Sequence, residues 1–588
     1  MRRSIASVIS SIVLIGLASC ATPPATPTTP HNVVIFVADG MRYGSVDAEH
    51  APELFAAKQE GVDFANSHSI YPTLTTVNAS AIATGHWPGD TGNFGNYIYP
   101  GEPWLEHAGF SRVVAIEDDA ILHDLDGRFG GNYLRETTLM SAALAHGYNV
   151  VSMGKTGPSG IQIRGTVNGQ ALLIDETMGL PDGPTLPPEI AAAMTAANLG
   201  LNAPPRNLPN IAQQDWLSKV ATDVVIPYLQ HAGKPFILLY WSPDPDNTQH
   251  SQHDSVQSLT PGVNGPTSLR AVANASSNFG RLRTAISANN LADTTDLVMI
   301  ADHGFSTTSK QSSTSYAAGL SYRDYPQGQL PVGFVAIDLA HLLQLNLYNT
   351  NGTDVALDQH LSPRGASAML GAFNDQPQVI IAANGGSDLI YLLGDNKAAQ
   401  AQRIVAFLTT QDYTGAIFTA DSLGPIAGAL PLSAINLTGS AQTLQPSIVV
   451  SFHTSDTGCG VPEMCGVEIA DAGLPHGSGY HGSFGRADTR NFMAAVGPDF
   501  RRGFVDPAPV SNADIAPTIA HILGFDVQPV GRLHGRVIQE ALPGSYRANI
   551  NADVVTSEPA ANGFRTVLNR QTVGETRYFD SGGNTGRH

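Results

Sequence analysis

The stretch Val33-Val34-Ile35-Phe36-Val37-Ala38-Asp39-Gly40 decides the fold. A continuous apolar run of this length, closed by Asp-Gly, reads as a strand buried on both faces, the kind found in parallel sheets. Similar runs follow at Val150 to Ser152, Phe236 to Trp241, Leu297 to Ile300 and Phe492 to Val496. Helical patterns fall between them, among them Ser268 to Ile286 and Ala513 to Leu523, the latter entered through Ser511-Asn512 as a cap. The pattern predicts an α/β fold, a mostly parallel central sheet with helices on both faces. Such sheets place their sites at the carboxyl ends of the strands, where successive connections diverge.

Acidic and imidazole groups gather at those ends. Asp39 lies just past the first strand, Asp246 and His250 past the third, and Asp302-His303-Gly304 past the fourth. Singly each has a plain structural explanation: Asp39 as a turn residue, each histidine as a satisfied core group. As a set they suit metal ions. Asp246 and His250 are four apart, which puts both on one side of a helical turn. His253 is a rival, but the register with Asp246 favours His250. In Tyr480-His481-Gly482 the histidine has the same glycine support, with His476 before Gly477 as a competitor.

Between the first two strands lies Tyr71-Pro72-Thr73-Leu74-Thr75-Thr76-Val77-Asn78, followed by Thr84-Gly85 and Gly95-Asn96. A threonine hydroxyl is a poor nucleophile in water. Bound to a divalent cation it can lose its proton near neutral pH and attack phosphorus, which makes Thr75 the candidate nucleophile of a phosphoryl-transfer enzyme.

In order and chemistry these motifs resemble the alkaline phosphatase superfamily, in particular its type I phosphodiesterase and nucleotide pyrophosphatase branch. The resemblance runs discontinuously from Val33 to about Phe525. It implies that Asp39, Thr75, Asp302 and His303 hold one zinc ion and that Asp246, His250 and His481 hold another. It also implies that Asn96 donates its side-chain amide to a phosphate oxygen and that hydrolysis passes through a covalent phospho-threonine. The donor mixture of imidazole and carboxylate suits zinc and also admits manganese or cobalt. Thr76, Val77, Ala79 and Thr91 depart from the nucleotide pyrophosphatase pattern, so nucleotide specificity is not implied. A second resemblance, to phosphomonoesterases of the same superfamily, assigns Lys155 to one half of a phosphate clamp. Gly157 stands where the clamp has arginine, and half a clamp favours a diester over a doubly charged monoester. Phosphomonoester hydrolysis is the alternative. An inactive ligand-binding lipoprotein is the alternative of another class.

The amino terminus reads Met-Arg-Arg, an apolar run, then Leu17-Ala18-Ser19-Cys20. This predicts a signal peptide over 1–19 with a bacterial lipobox, lipidated Cys20, and a Pro/Thr-rich tether over 20–30. The expected location is exported, periplasmic or anchored to the outer membrane. The two later cysteines, Cys459 and Cys465, can close a small loop in an oxidising compartment. A formal charge of −19 with only 31 Lys plus Arg argues against a nucleic-acid-binding surface but not against a small phosphate ester, because bound cations reverse the local potential. The catalytic domain is expected over 31–545. Insertions are expected near 179–210, a proline-rich rim, and near 310–450, a cap lobe with a strand at Ser387 to Leu393 and a helix at Asp395 to Thr409. Residues 546–588 read as a polar, weakly patterned tail.

Overall fold

The computed structural model describes residues 31–585 apart from 103–104, 168, 181–182 and 358–359. The expected signal peptide, Cys20 and tether lie outside the described residues. Among those described, no helix is long and apolar enough to cross a membrane.

The stretch that opens the chain's pattern is the strand Asn32–Ala38, buried throughout. It pairs in parallel with Phe236–Ser242 on one side and Thr295–Ile300 on the other. The full sheet has eight strands, in the order Phe504–Asp506, Val62–Phe64, Met493–Val496, Thr295–Ile300, Asn32–Ala38, Phe236–Ser242, Asn149–Gly154 and Leu172–Asp175. Only Met493–Val496 runs against its neighbours. Alternation along one strand splits the core in two. Val33, Ile35 and Val37 pack with the buried helix Thr75–Thr84, whereas Val34 and Phe36 pack with Phe279 and Leu282 of the helix Pro266–Ala288. Both faces are therefore covered, as the continuous apolar runs require. At Ser511 the expected cap is a capping box closed by Asp514, leading into Ile515–Leu523.

A second, seven-stranded sheet holds the strands Asn346–Asn349, Ala368–Gly371, Val379–Ala383, Ser387–Leu392, Ile448–Phe452, Thr414–Thr419 and Leu430–Pro431, in that order. The helix Lys397–Leu408 packs on it through Ile404, Val405 and Leu408. A small four-stranded sheet joins this lobe to the first. Its Ser306–Ser309 strand pairs antiparallel with Gly479–Tyr480, Ser306 facing Tyr480. Cys459 and Cys465 form a disulfide in the connection between two of its strands, Thr454–Asp456 and Gly466–Ile469.

Two regions differ from the sequence expectation. The proline-rich 179–210 segment contains the helix Pro188–Ala196, whose Ile190 and Met194, four apart, are buried in the core. Proline at the first helical position starts a helix rather than breaking it. Residues 546–588 contain a three-stranded antiparallel sheet, Ile550–Thr556, Thr566–Val573 and Thr576–Asn584. Its first strand is almost wholly exposed and so carries no apolar alternation, while Leu568 and Phe579 reach the main core. His68 Nε2 lies 2.9 Å from Asp580 Oδ1 and fixes this sheet to the catalytic lobe.

Candidate metal centre

Each acidic or imidazole group is delivered by a strand end. The Asp39 amide donates to Ser242 O (3.1 Å), carrying the central ladder one residue past its last strand pair. Asp246 opens the short helix Asp246–Ser251, and its amide donates to Asp39 O (3.0 Å), which ties the two strand ends together. Asp302 and His303 follow Thr295–Ile300. Close approach requires Gly304: a Cβ there would lie 2.0 Å from Ala487 O. His303 and His481 are far apart in sequence. Pairing of Ser306 with Tyr480 brings them together, and their rings stack with centroids 3.6 Å apart.

Thr75 is the first residue of a ten-residue helix buried along its whole length. The loop before it is pinned by Asn78, whose Oδ1 accepts from Ile70 N (2.7 Å) and from Asn512 Nδ2 (2.9 Å). Asn512 also donates to Asp302 O (2.7 Å), so one amide joins the loop before Thr75 to the loop of Asp302.

The donor atoms converge in a specific way. His303, His481 and His250 each donate Nδ1–H to a backbone carbonyl, of Gly304 (2.9 Å), Thr73 (2.8 Å) and Gly479 (3.1 Å) respectively. That turns every Nε2 inward. His303 Nε2 lies 3.1 Å from Asp302 Oδ2, 3.6 Å from Asp39 Oδ1 and 3.3 Å from Thr75 Oγ1. His250 Nε2 and His481 Nε2 lie 3.1 and 3.4 Å from Asp246 Oδ1. Asp39 Oδ1, Asp246 Oδ1 and Asp302 Oδ2 are buried without a hydrogen-bond partner. Buried anionic oxygens without donors are costly unless a cation faces them, so the residues present fit divalent metal ions. Four clusters among the described residues meet the spacing of a metal site, and two of them lie here, Asp39/Asp302/His303 and Asp246/His303/His481.

Electrostatics point the same way. Burial pushes Asp39 well above the usual carboxylate range, helped by the charges of Asp246 and Asp302. Burial would lower His303, but Asp302, Asp39 and Asp246 outweigh it and raise the imidazole to about 9. His481 is pushed down to about 4 by burial and by the neighbouring charge of His303, so it is a neutral donor at neutral pH.

Lys155 sits among the carboxylates. Its Nζ donates to Asp39 Oδ2 (3.0 Å) and Asp246 Oδ2 (3.2 Å) and pairs with Glu117 Oε1 (3.2 Å). It thereby holds the outer oxygens of Asp39 and Asp246 while their inner oxygens face the histidines. Trp241 Nε1 donates to Asp39 Oδ2 as well (2.7 Å). Asn96 Oδ1 accepts from the amide and the hydroxyl of Thr76, both at 3.0 Å, and its Nδ2 has no protein partner among the described residues. The two rival histidines are elsewhere: His253 is exposed, and His476 Nδ1 accepts from Lys310 N (3.2 Å). Trp241, Glu117 and Asn512 were not found from sequence. Trp241 lies next to the last residue of the strand leading to Asp246, at the end of an apolar run visible in the sequence, whereas Glu117 and Asn512 reach the site only through tertiary packing.

The fold and the cluster at its strand ends define a phosphoric ester hydrolase of the alkaline phosphatase type. Residues 33–322 match the family model described as Type I phosphodiesterase / nucleotide pyrophosphatase. Similar solved structures include human ectonucleotide pyrophosphatase / phosphodiesterase 5 (TM-score 0.51, 14% identity, covering 87% of this chain and 100% of that one). The murine protein of the same name is similar too (TM-score 0.50, 14% identity, the same coverage), and one murine structure is an inactive variant in complex with AMP. No curated protein matches the chain.

Proposed function

We propose that this hydrolase cleaves phosphate diesters in two displacements through Thr75, with two divalent cations, zinc by their donor chemistry. Asp39, Thr75, Asp302 and His303 would hold one; Asp246, His250 and His481 would hold the other. The observation that carries this reading is the facing of three orphaned carboxylate oxygens and three inward Nε2 atoms beside the first residue of the Thr75 helix. Bound cations supply Lewis acidity, which lowers the pKa of the threonine hydroxyl and stabilises charge on the phosphoryl and leaving oxygens.

The chain's own residues provide the rest. The N-terminus of the Thr75–Thr84 helix favours an anionic oxygen on Thr75 and the phosphate drawn to it. Thr75 Oγ1 bonds to phosphorus as the bond to one ester arm breaks, and that arm leaves with its oxygen. Water then attacks the phospho-threonine, freeing a phosphate monoester and restoring the hydroxyl. Asn96, clamped through its carbonyl by Thr76, presents Nδ2 to a non-bridging oxygen without reorganising.

Diesters are favoured over monoesters because no cation is left to meet a second phosphate charge. The Lys155 ammonium is shared among Asp39, Asp246 and Glu117, and these carboxylates overcome its burial to hold it well above the usual lysine range. An arginine cannot replace Gly157, which has φ +80° and would place a Cβ 2.4 Å from Glu117 Cα. The test compares kcat/KM for bis-p-nitrophenyl phosphate and p-nitrophenyl phosphate on zinc-loaded protein. Preference for the diester supports this reading; preference for the monoester assigns the enzyme to the phosphatases.

Export and anchoring through Cys20 belong to the same proposal. The lipobox sequence supports them, as does the Cys459–Cys465 disulfide, a bond suited to an oxidising compartment. Mass spectrometry should find a lipid on Cys20, and Cys20→Ala should move the enzyme from the membrane to the soluble fraction.

A further inference from the structure

A cavity of about 660 Å³ opens against the metal centre. Two of its walls are sequence neighbours of site residues: Tyr480 precedes His481, and Tyr97 follows Asn96. His250 lines it directly. The opposite wall comes from the second lobe and includes Thr350, Arg364 and Ser367, all outside residues 33–322. Volumes of this size take a ligand of a few hundred daltons rather than a bare phosphate.

The charge of the lining is unusual for this chain. Arg364 is the one Lys or Arg among the lining residues, in a protein of net charge −19. It is exposed, and its guanidinium has no ion-pair partner among the described residues. The backbone beneath it is fixed, since the Arg364 amide donates to Asn349 Oδ1 (2.7 Å) and Asn349 in turn donates to Thr353 Oγ1 (3.0 Å). The only acid in the lining, Asp471, is buried, accepts from Gly333 N (2.6 Å) and is pushed up by burial to about 7. Tyr97 is held in place through its backbone, which bonds both ways with the Asn384 side chain (2.8 and 2.9 Å). The pocket thus combines rigid aromatic walls, polar hydroxyls and one free guanidinium.

We infer that this cavity receives one arm of the diester and that Arg364 selects an arm bearing a second anionic group, a carboxylate or a phosphate. The substrate class is a phosphodiester or pyrophosphate-linked ester with an anion remote from the scissile phosphorus. A guanidinium matches either anion with two parallel hydrogen bonds, an interaction lysine does not reproduce. This inference rests on the diesterase reading for its chemistry but on the cavity alone for its ligand.

The test uses 4-nitrophenyl phenyl phosphate and 4-nitrophenyl 4-carboxyphenyl phosphate on the zinc-loaded enzyme. Wild type should favour the carboxylated ester by about tenfold or more in kcat/KM, the usual worth of a charge-assisted hydrogen bond. Arg364→Ala should bring the ratio near one, and Arg364→Lys should leave it between the two. No preference in wild type, or an equal preference in Arg364→Ala, overturns the inference. Calorimetry with phenylphosphonate and 4-carboxyphenylphosphonate makes the same comparison without turnover. If neither ester is hydrolysed but the carboxylated phosphonate binds more tightly in an Arg364-dependent manner, the diesterase reading fails and the anion subsite stands. A phosphate in place of the carboxylate distinguishes the two anions: a steeper Arg364 dependence identifies the one the site is built for.

Discussion

Two buried clusters of histidine and carboxylate in this molecule look alike in composition and differ in what surrounds their oxygens. His86, Asp90 and Glu136 meet the same spacing as the metal centre, with His86 Nδ1 3.1 Å from Asp90 Oδ2 and His86 Nε2 3.4 Å from Glu136 Oε2. Yet every oxygen there has a donor. Asp90 accepts from Ser440 N and from Leu533 N, and Glu136 accepts from the amides of Val530 and Gly531. At the metal centre, Asp39 Oδ1, Asp246 Oδ1 and Asp302 Oδ2 accept from nothing. The first cluster is a staple that ties distant loops to the helix-bearing segment; the second keeps its oxygens open, as a candidate metal site would. Proximity of histidine and acid does not mark a metal site. Unsatisfied carboxylate oxygens beside inward-turned Nε2 atoms are what set the candidate site apart.

This contrast can be broken by substitution. The largest effect should come from Thr75→Ala, which should reduce kcat/KM toward bis-p-nitrophenyl phosphate by at least about a thousandfold, as loss of a nucleophile does. Metal content should stay at the wild-type value; full activity in this variant would remove the nucleophile. His250→Ala should lose one metal equivalent by elemental analysis, while Asp90→Asn should lose none. If Asp90→Asn did shed metal, the two clusters would not be different in kind.

Stability should respond in the opposite sense. Asp90→Asn or Glu136→Gln breaks a buried charge network and should lower unfolding free energy by about 3 to 5 kcal/mol in denaturant titration. An unchanged midpoint would show that the staple contributes nothing. A smaller effect concerns protons at the metal centre. Metal-free His303 is raised to about 9 and holds a proton at neutral pH, so metal uptake must displace it. Apparent metal affinity, measured against a chelator, should rise by about tenfold per pH unit between roughly pH 6.5 and 8.5. A flat profile would mean that His303 carries no proton to displace.

The smallest expected effect is in acid. Burial would raise Asp90, but the bonds from His86 and from the amides of Ser440 and Leu533 outweigh it and hold the carboxyl at about 2. Because this folded-state value lies below the ordinary 3.8, the stabilisation is complete above that pH and fades as pH falls through 2. Asp90→Asn should therefore flatten the acid limb of the stability profile over that window.

Much of the site was legible from the chain. Asp39, Asp246, Asp302 and His303 each follow an apolar run, and the end of a buried strand in a parallel sheet is a predictable place. His250 was legible because four residues make a helical turn. His481 and its rival His476 could be separated only by the pairing of Ser306 with Tyr480, which depends on contacts some 170 residues apart in sequence. The helix Pro188–Ala196 and the C-terminal sheet were not legible. One is short and starts on proline, and the other begins with an exposed strand that buries too little to impose a pattern.

The sequence by itself determined the α/β class with helices on both faces of the sheet, and it named the candidate nucleophile and most of the candidate ligands, because hydrophobic periodicity and chemically distinctive side chains are local properties. Only the tertiary structure decided which carboxylate oxygens are left without donors, that Lys155 bonds to both Asp39 and Asp246, and that Arg364 lines a cavity beside the candidate metal centre. Those are questions of which atom meets which across the fold. They are settled by packing between segments whose sequences carry no trace of one another.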